Sequence, residues 1–240
     1  MAIRDTFNRQ LGRTSVVRHN PLWCAALFLT FPFSWHAAIA KQPCIDLLAV
    51  AQHTTDLDAC RPASVSADEK RNVLESLPTE GEVAQLTESE RRKLKDLTAI
   101  LRIHERDRVY VLKVISVPQA WTGLYGRAVL LISLPALELL GSEELQALVA
   151  HEIGHEYIWQ EYADAQKDKN VTRLRELELT CDAIAVLTLQ RVGINADRLI
   201  QGLEKVSWYN RERFGWAGNE WSYPPLKARR NLVKAMSAGS

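Results

Sequence analysis

The chain has 240 residues, of which 47% are hydrophobic and 25% are charged, and its formal net charge is +1 at pH 7. The near balance of 30 basic and 29 acidic residues argues against a nucleic-acid-binding protein, which carries an excess of basic residues on one face. The length is sufficient for one domain with its own hydrophobic core.

The first 40 residues have the pattern of a secretory signal peptide. Four arginines within the first 20 residues precede an apolar stretch that runs from Leu22 to Ala40 and ends in an A-x-A site. This pattern predicts export with cleavage after Ala40, to the periplasm or the medium. An uncleaved N-terminal membrane anchor is the alternative, although proline and polar residues shorten the apolar run below a comfortable span.

Residues 41–66 are predicted to form an N-terminal segment that precedes the main domain at residues 67–240. A short helix is expected within residues 41–60, and residues 61–66 have the composition of a linker. In an oxidising compartment, Cys44 and Cys60 are candidate disulfide partners, whereas two reduced core cysteines are the alternative. The chain that follows Ala40 has one further cysteine, Cys181, which would be a buried thiol.

Capping residues and apolar patterns predict the elements of the main domain. Thr87 and Glu90 form a capping box that should open a helix ending near Ile103. A turn-rich segment with Gly123 and Gly126 separates two predicted strands, at residues 109–117 and 128–133.

Four further helices are predicted after these strands. Ser142 should cap the first of them, with Glu143 and Glu144 in its first turn. The others are expected near residues 171–192, 196–212 and 225–237. The elements together predict an α+β fold, in which a small antiparallel or mixed sheet packs against a mostly helical body.

The most informative motif is His151-Glu152-Ile153-Gly154-His155. Because residues four apart share one face of a helix, the two imidazoles could bind the same metal ion. Glu152 points about 100° away, where it could reach a water on the metal rather than the metal itself. Two neutral ligands, a Lewis acid and a carboxylate base are what hydrolysis by zinc requires. A solvated surface helix is the alternative, but the apolar neighbours indicate burial, where unpartnered polar side chains would be costly.

A catalytic zinc ion needs a third protein ligand, and no histidine follows His155 in the chain. The ligand should therefore be a carboxylate or a thiolate. Glu178 and Asp182 share one face of the predicted helix at residues 171–192. Glu178 is favoured as the ligand, because Asp182 could then accept the free ring N–H of a ligand histidine. Cys181 remains the competing ligand.

Residues 128–157, AVLLISLPALELLGSEELQALVAHEIGHEY, resemble the core of the HtpX/CAAX-prenyl-protease type of zinc metallopeptidases. In that family a strand and a short helix precede the HExxH helix, and the third zinc ligand is the Glu of a Glu-x-x-x-Asp segment, here Glu178 and Asp182. The resemblance spans residues 105–235. It implies a zincin-like gluzincin fold and one Zn²⁺ bound by His151, His155 and Glu178, with Glu152 as the catalytic base.

The chain departs from the family pattern at three places. Family members often carry an Asn-Ala pair before the strand that leads to the active site, where this chain has Ala-Trp-Thr-Gly at residues 120–123. Where the family commonly has a His-Pro pair that assists the transition state, residues 222–230 place Tyr223 before two prolines. A tyrosine hydroxyl could donate to an oxyanion, so Tyr223 is a candidate catalytic residue, with packing as the alternative. Glu156 is charged where an uncharged residue usually follows the second histidine.

The predicted mechanism is attack of a metal-activated water on a peptide carbonyl, with Glu152 passing the water's proton to the leaving amine. If the strand at residues 127–133 borders the cleft, its free edge could pair with an extended peptide. Six aromatic residues could either wall a substrate pocket or pack in the core: Trp208, Tyr209, Phe214, Trp216, Trp221 and Tyr223.

These features predict an exported zinc-dependent endopeptidase that acts on extended or unfolded protein segments and binds no nucleic acid. The alternative is a noncatalytic or autoinhibited zinc-bound module in envelope protein assembly or quality control, with an envelope protein as its partner. The presence of Glu152 favours the enzyme, because a structural site has no use for a carboxylate aimed at a water. The sequence leaves open whether the protein contacts a membrane.

Overall fold

The computed structural model describes residues 45, 47–52, 56–77, 81, 83, 85–215 and 222–238. The predicted signal peptide and Cys44, the candidate disulfide partner of Cys60, lie outside these residues. No helix in the described part of the chain is both long and apolar enough to cross a membrane.

Within the described residues the protein is mostly helical and has one small sheet, which confirms the predicted α+β class. The strands are β1 (Val111–Ile115), β2 (Thr122–Tyr125) and β3 (Val129–Ser133). The helices are α1 (Leu47–Ala51), α2 (Ala67–Ser76), α3 (Glu88–Ile103), α4 (Leu134–Leu139), α5 (Ser142–Tyr157), α6 (Trp159–Lys167), α7 (Val171–Arg191), α8 (Asp197–Phe214) and α9 (Leu226–Ala238).

The helices predicted from caps and periodicity are confirmed in position. Thr87 Oγ1 accepts from the Glu90 amide at 3.3 Å and the Thr87 amide donates to the Glu90 carboxylate at 2.6 Å, so the capping box opens α3 as expected. Helices α7, α8 and α9 match the three predicted C-terminal helices. The short helices α2 and α6 were not predicted.

The predicted cap of α5 is wrong by one residue. Gly141 is the N-cap, and its amide donates to Glu144 Oε2 at 2.8 Å. Ser142 is instead the first residue of the helix, and its hydroxyl donates to Asp96 on α3 at 2.6 Å. Its side chain therefore links two helices rather than capping one.

The three strands form a mixed sheet in the order β1-β3-β2. Strand β1 pairs with β3 in parallel, with Val111 opposite Val129, and β2 pairs with β3 antiparallel, with Thr122 opposite Ile132. Because β3 is the central strand, it has no free edge, and the prediction that residues 127–133 offer an edge to a peptide is wrong. The outer edge of β1 bonds to Val83, whose amide donates to the Val114 carbonyl at 3.0 Å. No described strand pairs with the outer edge of β2.

A tight turn joins β2 to β3. Gly126 and Arg127 both have φ of +55°, and the Ala128 amide donates to the Tyr125 carbonyl at 3.1 Å, as in the primed turns of hairpins. The turn predicted around Gly126 is confirmed. Gly123 instead lies inside β2, because pairing with β3 and coverage by the neighbouring Trp121 ring stabilise a strand there.

The sheet lies between two apolar layers. Its inner face packs into the main core beside α5, with Val114, Leu124, Leu130 and Ile132 all buried. Its other face packs against α2 and the residues that flank it, through Val129, Leu131 and Leu77. All five residues of β3 are buried, since both faces are covered.

Glu156, at the end of α5, belongs to a buried ionic cluster. Its carboxylate accepts from Arg106 Nε at 2.8 Å, from Arg127 Nη2 at 3.3 Å and from the Tyr110 hydroxyl. Arg106 also donates to the Pro62 carbonyl at 2.5 Å and Arg127 donates to the Ala63 carbonyl. The cluster therefore balances the charge of Glu156 and ties residues 62–63 to the main domain.

Candidate metal centre

Helix α5 carries both histidines of the HExxH motif on one buried face. His151 and His155 are each 5% exposed, and their ring centroids are 5.1 Å apart with the planes nearly perpendicular. The helix is apolar on most sides, so it lies in the interior with α3, α7, α8 and β2 around it. The sequence prediction that this helix is buried is confirmed.

Gly154 explains how closely α7 approaches α5. A Cβ at this position would lie 2.8 Å from the Cα and 3.0 Å from the Cβ of Cys181, which is closer than real side chains come. The absence of a side chain at Gly154 thus lets the two helices touch. The contact places Glu178, three residues before Cys181, next to the two imidazoles.

Three ligand atoms meet where α5 and α7 touch. His151 Nε2 lies 3.3 Å from Glu178 Oε2, His155 Nε2 lies 3.8 Å from Glu178 Oε1, and one ligand atom from each residue lies within 4.8 Å of the others. Ligands of a tetrahedral zinc ion, at about 2.0–2.1 Å from the metal, are roughly 3.3 Å apart. Glu178 Oε2 is buried and has no hydrogen-bond donor among the described residues. The donor types and their spacing therefore fit a metal site.

Cys181 is not part of this group of ligand atoms in the described chain. It is fully buried against Gly154, and burial raises the pKa of its thiol well above the usual range, with Glu178 and Asp182 adding to the effect. Of the two ligand candidates on α7, the structure thus brings Glu178 and not Cys181 to the histidines.

Asp182 accepts a hydrogen bond from the second ring nitrogen of His151, with Nδ1 2.9 Å from Oδ1. Burial raises the pKa of Asp182, but Arg229 and His151 lower it more, so the pKa is below its usual range. An ionised carboxylate can only accept, so His151 Nδ1 carries the proton in this contact. In a neutral His151 the lone pair is then on Nε2, the atom beside Glu178.

Arg229 on α9 is a residue of the centre that the sequence did not reveal. It is 5% exposed, and it donates to both oxygens of Asp182, from Nε at 2.6 Å and from Nη2 at 2.7 Å. Its only signal in the sequence is its position after the two prolines that follow Tyr223. A basic residue at a helix start does not by itself indicate which carboxylate it will meet.

The buried charges of the centre leave a need for one further cation. His151, His155 and Arg229 outweigh the effect of burial and keep the pKa of Glu178 below its usual range, so Glu178 and Asp182 are both anionic. Arg229 supplies one positive charge. Burial lowers the pKa of His151, yet Asp182 and Glu178 raise it to about 10, whereas burial lowers the pKa of His155 to about 4. These ionised groups sum to one negative charge, which a proton on His151 would neutralise and a bound divalent metal ion would exceed by one positive charge.

Tyr162 on α6 contacts Glu178, the candidate ligand, and was also missed. Its hydroxyl donates to Glu178 Oε1 at 2.8 Å, and its ring stands edge-on to His155 with centroids 4.7 Å apart. No sequence motif marks this residue, since it comes from a short helix that was not predicted. Its hydrogen bond restricts the orientation of the Glu178 carboxylate.

Glu152 is partly buried and lies beside the strand β2. Its Oε1 accepts a hydrogen bond from the Thr122 hydroxyl at 3.0 Å. Burial raises the pKa of Glu152 to about 7, although His151 and Thr122 act in the opposite direction. A carboxylate with this pKa can both take and release a proton near neutral pH.

Tyr223 lies near the centre but on its margin. Its ring centroid is 6.0 Å from Arg229 Cζ, and its side chain is partly buried. The catalytic role of Tyr223 stays a prediction. Of the other aromatic residues, Trp208 is 61% exposed, and Trp216 and Trp221 lie outside the described residues, so the predicted pocket wall also stays a prediction.

Comparison with known proteins does not assign this chain. No protein-family model matches the sequence. No curated protein matches it either.

Proposed function

We propose that the protein is a zinc-dependent endopeptidase with a zincin-like fold, which hydrolyses peptide bonds in extended or unfolded protein segments. The observation that carries the proposal is the meeting of His151, His155 and Glu178 beside a carboxylate, Glu152, that is not in the ligand group. The proposal includes export of the protein by its N-terminal signal peptide, which would be cleaved. An uncleaved N-terminal membrane anchor is the alternative.

The three ligand residues would hold the metal with two imidazole nitrogens and one carboxylate. A zinc ion there would supply a Lewis acid that polarises a carbonyl and makes a coordinated water acidic. Asp182 orients His151 through the 2.9 Å hydrogen bond, and Tyr162 orients Glu178 through the 2.8 Å hydrogen bond. Three protein ligands are typical of catalytic zinc sites, whereas structural sites usually have four.

Glu152 would act as the general base and then as the general acid. Its carboxylate is not in the ligand group, so it is available to take a proton from the attacking water and to deliver that proton to the leaving amine. Thr122 holds one oxygen of the carboxylate, so the other oxygen is left for the proton. A noncatalytic zinc module would have no role for this carboxylate.

The edge of β2 supports an extended peptide as the substrate. The backbone groups on its outer edge have no partner strand among the described residues, and β2 lies against the helix that carries Glu152. A peptide that added a strand there would be recognised mainly by its main chain. The substrate would then be defined by being extended rather than by its sequence.

The proposal is tested with Glu152→Gln in the full protein. We expect the variant to keep its zinc, measured by elemental analysis, and to lose hydrolysis of fluorescent casein by about a thousand-fold or more. Glu143→Gln, at an exposed position on the same helix, is the matched control and should keep both. Hydrolysis by Glu152→Gln at the normal rate would overturn the mechanism. Zinc binding without hydrolysis by the unchanged protein would instead indicate the noncatalytic or autoinhibited module.

A further inference from the structure

One residue of the edge strand is in direct contact with Glu152. The hydroxyl of Thr122 donates to Glu152 Oε1 at 3.0 Å, and this bond joins strand β2 to helix α5. Thr122 lies on the same face of β2 as Leu124, which is buried in the main core beside α5. The direction of the threonine side chain is therefore set by the strand.

The start of β2 is held by a buried side chain from α8. Asn210 Oδ1 accepts from the Ala120 amide at 2.9 Å, and Asn210 Nδ2 donates to the Ala120 carbonyl at 2.8 Å. These are the two bonds that a neighbouring strand would make to the same residue. Asn210 is 3% exposed and Ala120 is fully buried, so water does not compete for them.

The next residue is held from the other side. The Trp121 amide donates to Ser133 Oγ at 2.9 Å, and the Ser133 amide donates to the Trp121 carbonyl at 3.0 Å. Both backbone groups of Ala120 and of Trp121 are thus engaged directly before Thr122. The chain enters the strand with no freedom to shift its register.

We propose that Thr122 is a positioning residue for the catalytic base and that Asn210 acts through it, by holding β2 where the Thr122 hydroxyl reaches Glu152. This inference rests on the proposed peptidase function. The same strand exposes the edge on which a substrate peptide would pair, so one element sets the place of both the base and the peptide. An error in the position of β2 would then slow the chemical step without loss of the metal.

The first test compares Thr122→Val with Thr122→Ser. Valine has nearly the shape of threonine but no hydroxyl, and serine keeps the hydroxyl. We expect Thr122→Val to remain folded with a modestly lower melting temperature, and to keep its zinc content and, within about two-fold, its KM. Its kcat should fall by about ten-fold, since a hydrogen bond to a charged group is removed. Thr122→Ser should recover most of the loss. Thr172→Val, at an exposed position on α7, is the control. An unchanged kcat in Thr122→Val, or an equal loss in Thr122→Ser, would overturn the proposal.

The second test asks whether Asn210 acts through Thr122. Asn210→Ser alone should lower kcat. Added to Thr122→Val, it should lower kcat by less than about two-fold further, because the effects of substitutions at coupled residues are not additive. Melting temperature and zinc content identify any variant that is simply unfolded, and Asn210→Gln, which keeps an uncharged amide at this buried position, then serves as the second variant. If the separate losses in kcat of the two substitutions multiply in the double variant, Asn210 does not act through Thr122, and that part of the proposal would fail.

A crystallographic comparison separates this proposal from the peptidase function. The Glu152 carboxylate should keep its place in Thr122→Ser and be displaced or disordered in Thr122→Val, whether or not the protein is active. If the unchanged protein hydrolyses no peptide, the proposed function fails while this comparison still decides the positioning role. A carboxylate in the same place in both variants would overturn the positioning role alone.

Discussion

Arg229 donates to both oxygens of Asp182, at 2.6 Å and 2.7 Å, and Asp182 in turn accepts from His151. Helix α9 thereby acts on a histidine of helix α5 through a carboxylate on α7. The guanidinium keeps Asp182 ionised, and the ionised carboxylate fixes which ring nitrogen of His151 faces Glu178.

Arg229→Lys is predicted to weaken zinc binding by about 10- to 100-fold, since lysine keeps the charge but cannot hold both oxygens of Asp182. Competition with a chromophoric chelator measures the affinity. Arg230→Lys is the matched control, because Arg230 is exposed and pairs with Glu204 on the surface. Equal zinc affinity in the two variants would show that the Arg229–Asp182 pair does not orient His151.

Glu178→Gln is predicted to lose zinc at concentrations that saturate the unchanged protein, because the substitution makes the proposed anionic ligand neutral. Glu176→Gln makes the same change two residues away on α7, at an exposed position, and should bind zinc normally. Elemental analysis after dialysis against a weak chelator distinguishes them. Normal zinc content in Glu178→Gln would mean that another group is the third ligand.

Gly154→Ala is predicted to destabilise the protein, although the same change in an unconstrained helix stabilises it by about 1 kcal/mol. The added methyl group would lie 2.8 Å from Cys181 Cα, so α5 and α7 must separate. We expect a loss of about 1–3 kcal/mol in the free energy of unfolding, measured with urea, together with weaker zinc binding. A gain in stability would contradict the close helix contact.

His104 is predicted to make the fold sensitive to acid. Thr188 donates its hydroxyl proton to the Ile184 carbonyl, so it accepts from His104 Nε2, and His104 Nδ1 accepts from Tyr157. Burial, with Arg106, Arg61 and Arg191 adding to it, lowers the pKa of this neutral histidine to about 3. The unfolded chain takes up a proton below its ordinary pKa of about 6.5, so this contribution to stability is complete above pH 6.5 and is lost as the pH falls towards 3.

Urea unfolding at pH 7.5 and pH 5.0 measures this effect. The unchanged protein should lose about 2 kcal/mol more than His104→Gln between the two values, because glutamine does not titrate. The histidines of the metal centre contribute equally to both proteins and cancel in the comparison. Equal pH dependence of the two proteins would show that His104 has the same pKa in the folded and the unfolded chain.

The site residues that the sequence predicted lie close together along single helices. His151 with His155, and Glu178 with Asp182, are each four residues apart, and helical geometry puts each pair on one face whatever surrounds it. The caps and apolar periods of α3, α7, α8 and α9 are equally local. For this reason the sequence by itself determined these helices and four of the residues of the centre.

Only the tertiary structure decided which elements lie next to them. Arg229, Tyr162 and Thr122 reach the centre from α9, α6 and β2, at sequence distances that no helical or strand period links. Strand β3 is central because it pairs with β1 and β2 at once. The unpaired edge of the described sheet therefore belongs to β2 and not to β3. Such neighbours are set by the packing of the whole core, since burial against several elements, rather than local backbone geometry, determines their positions.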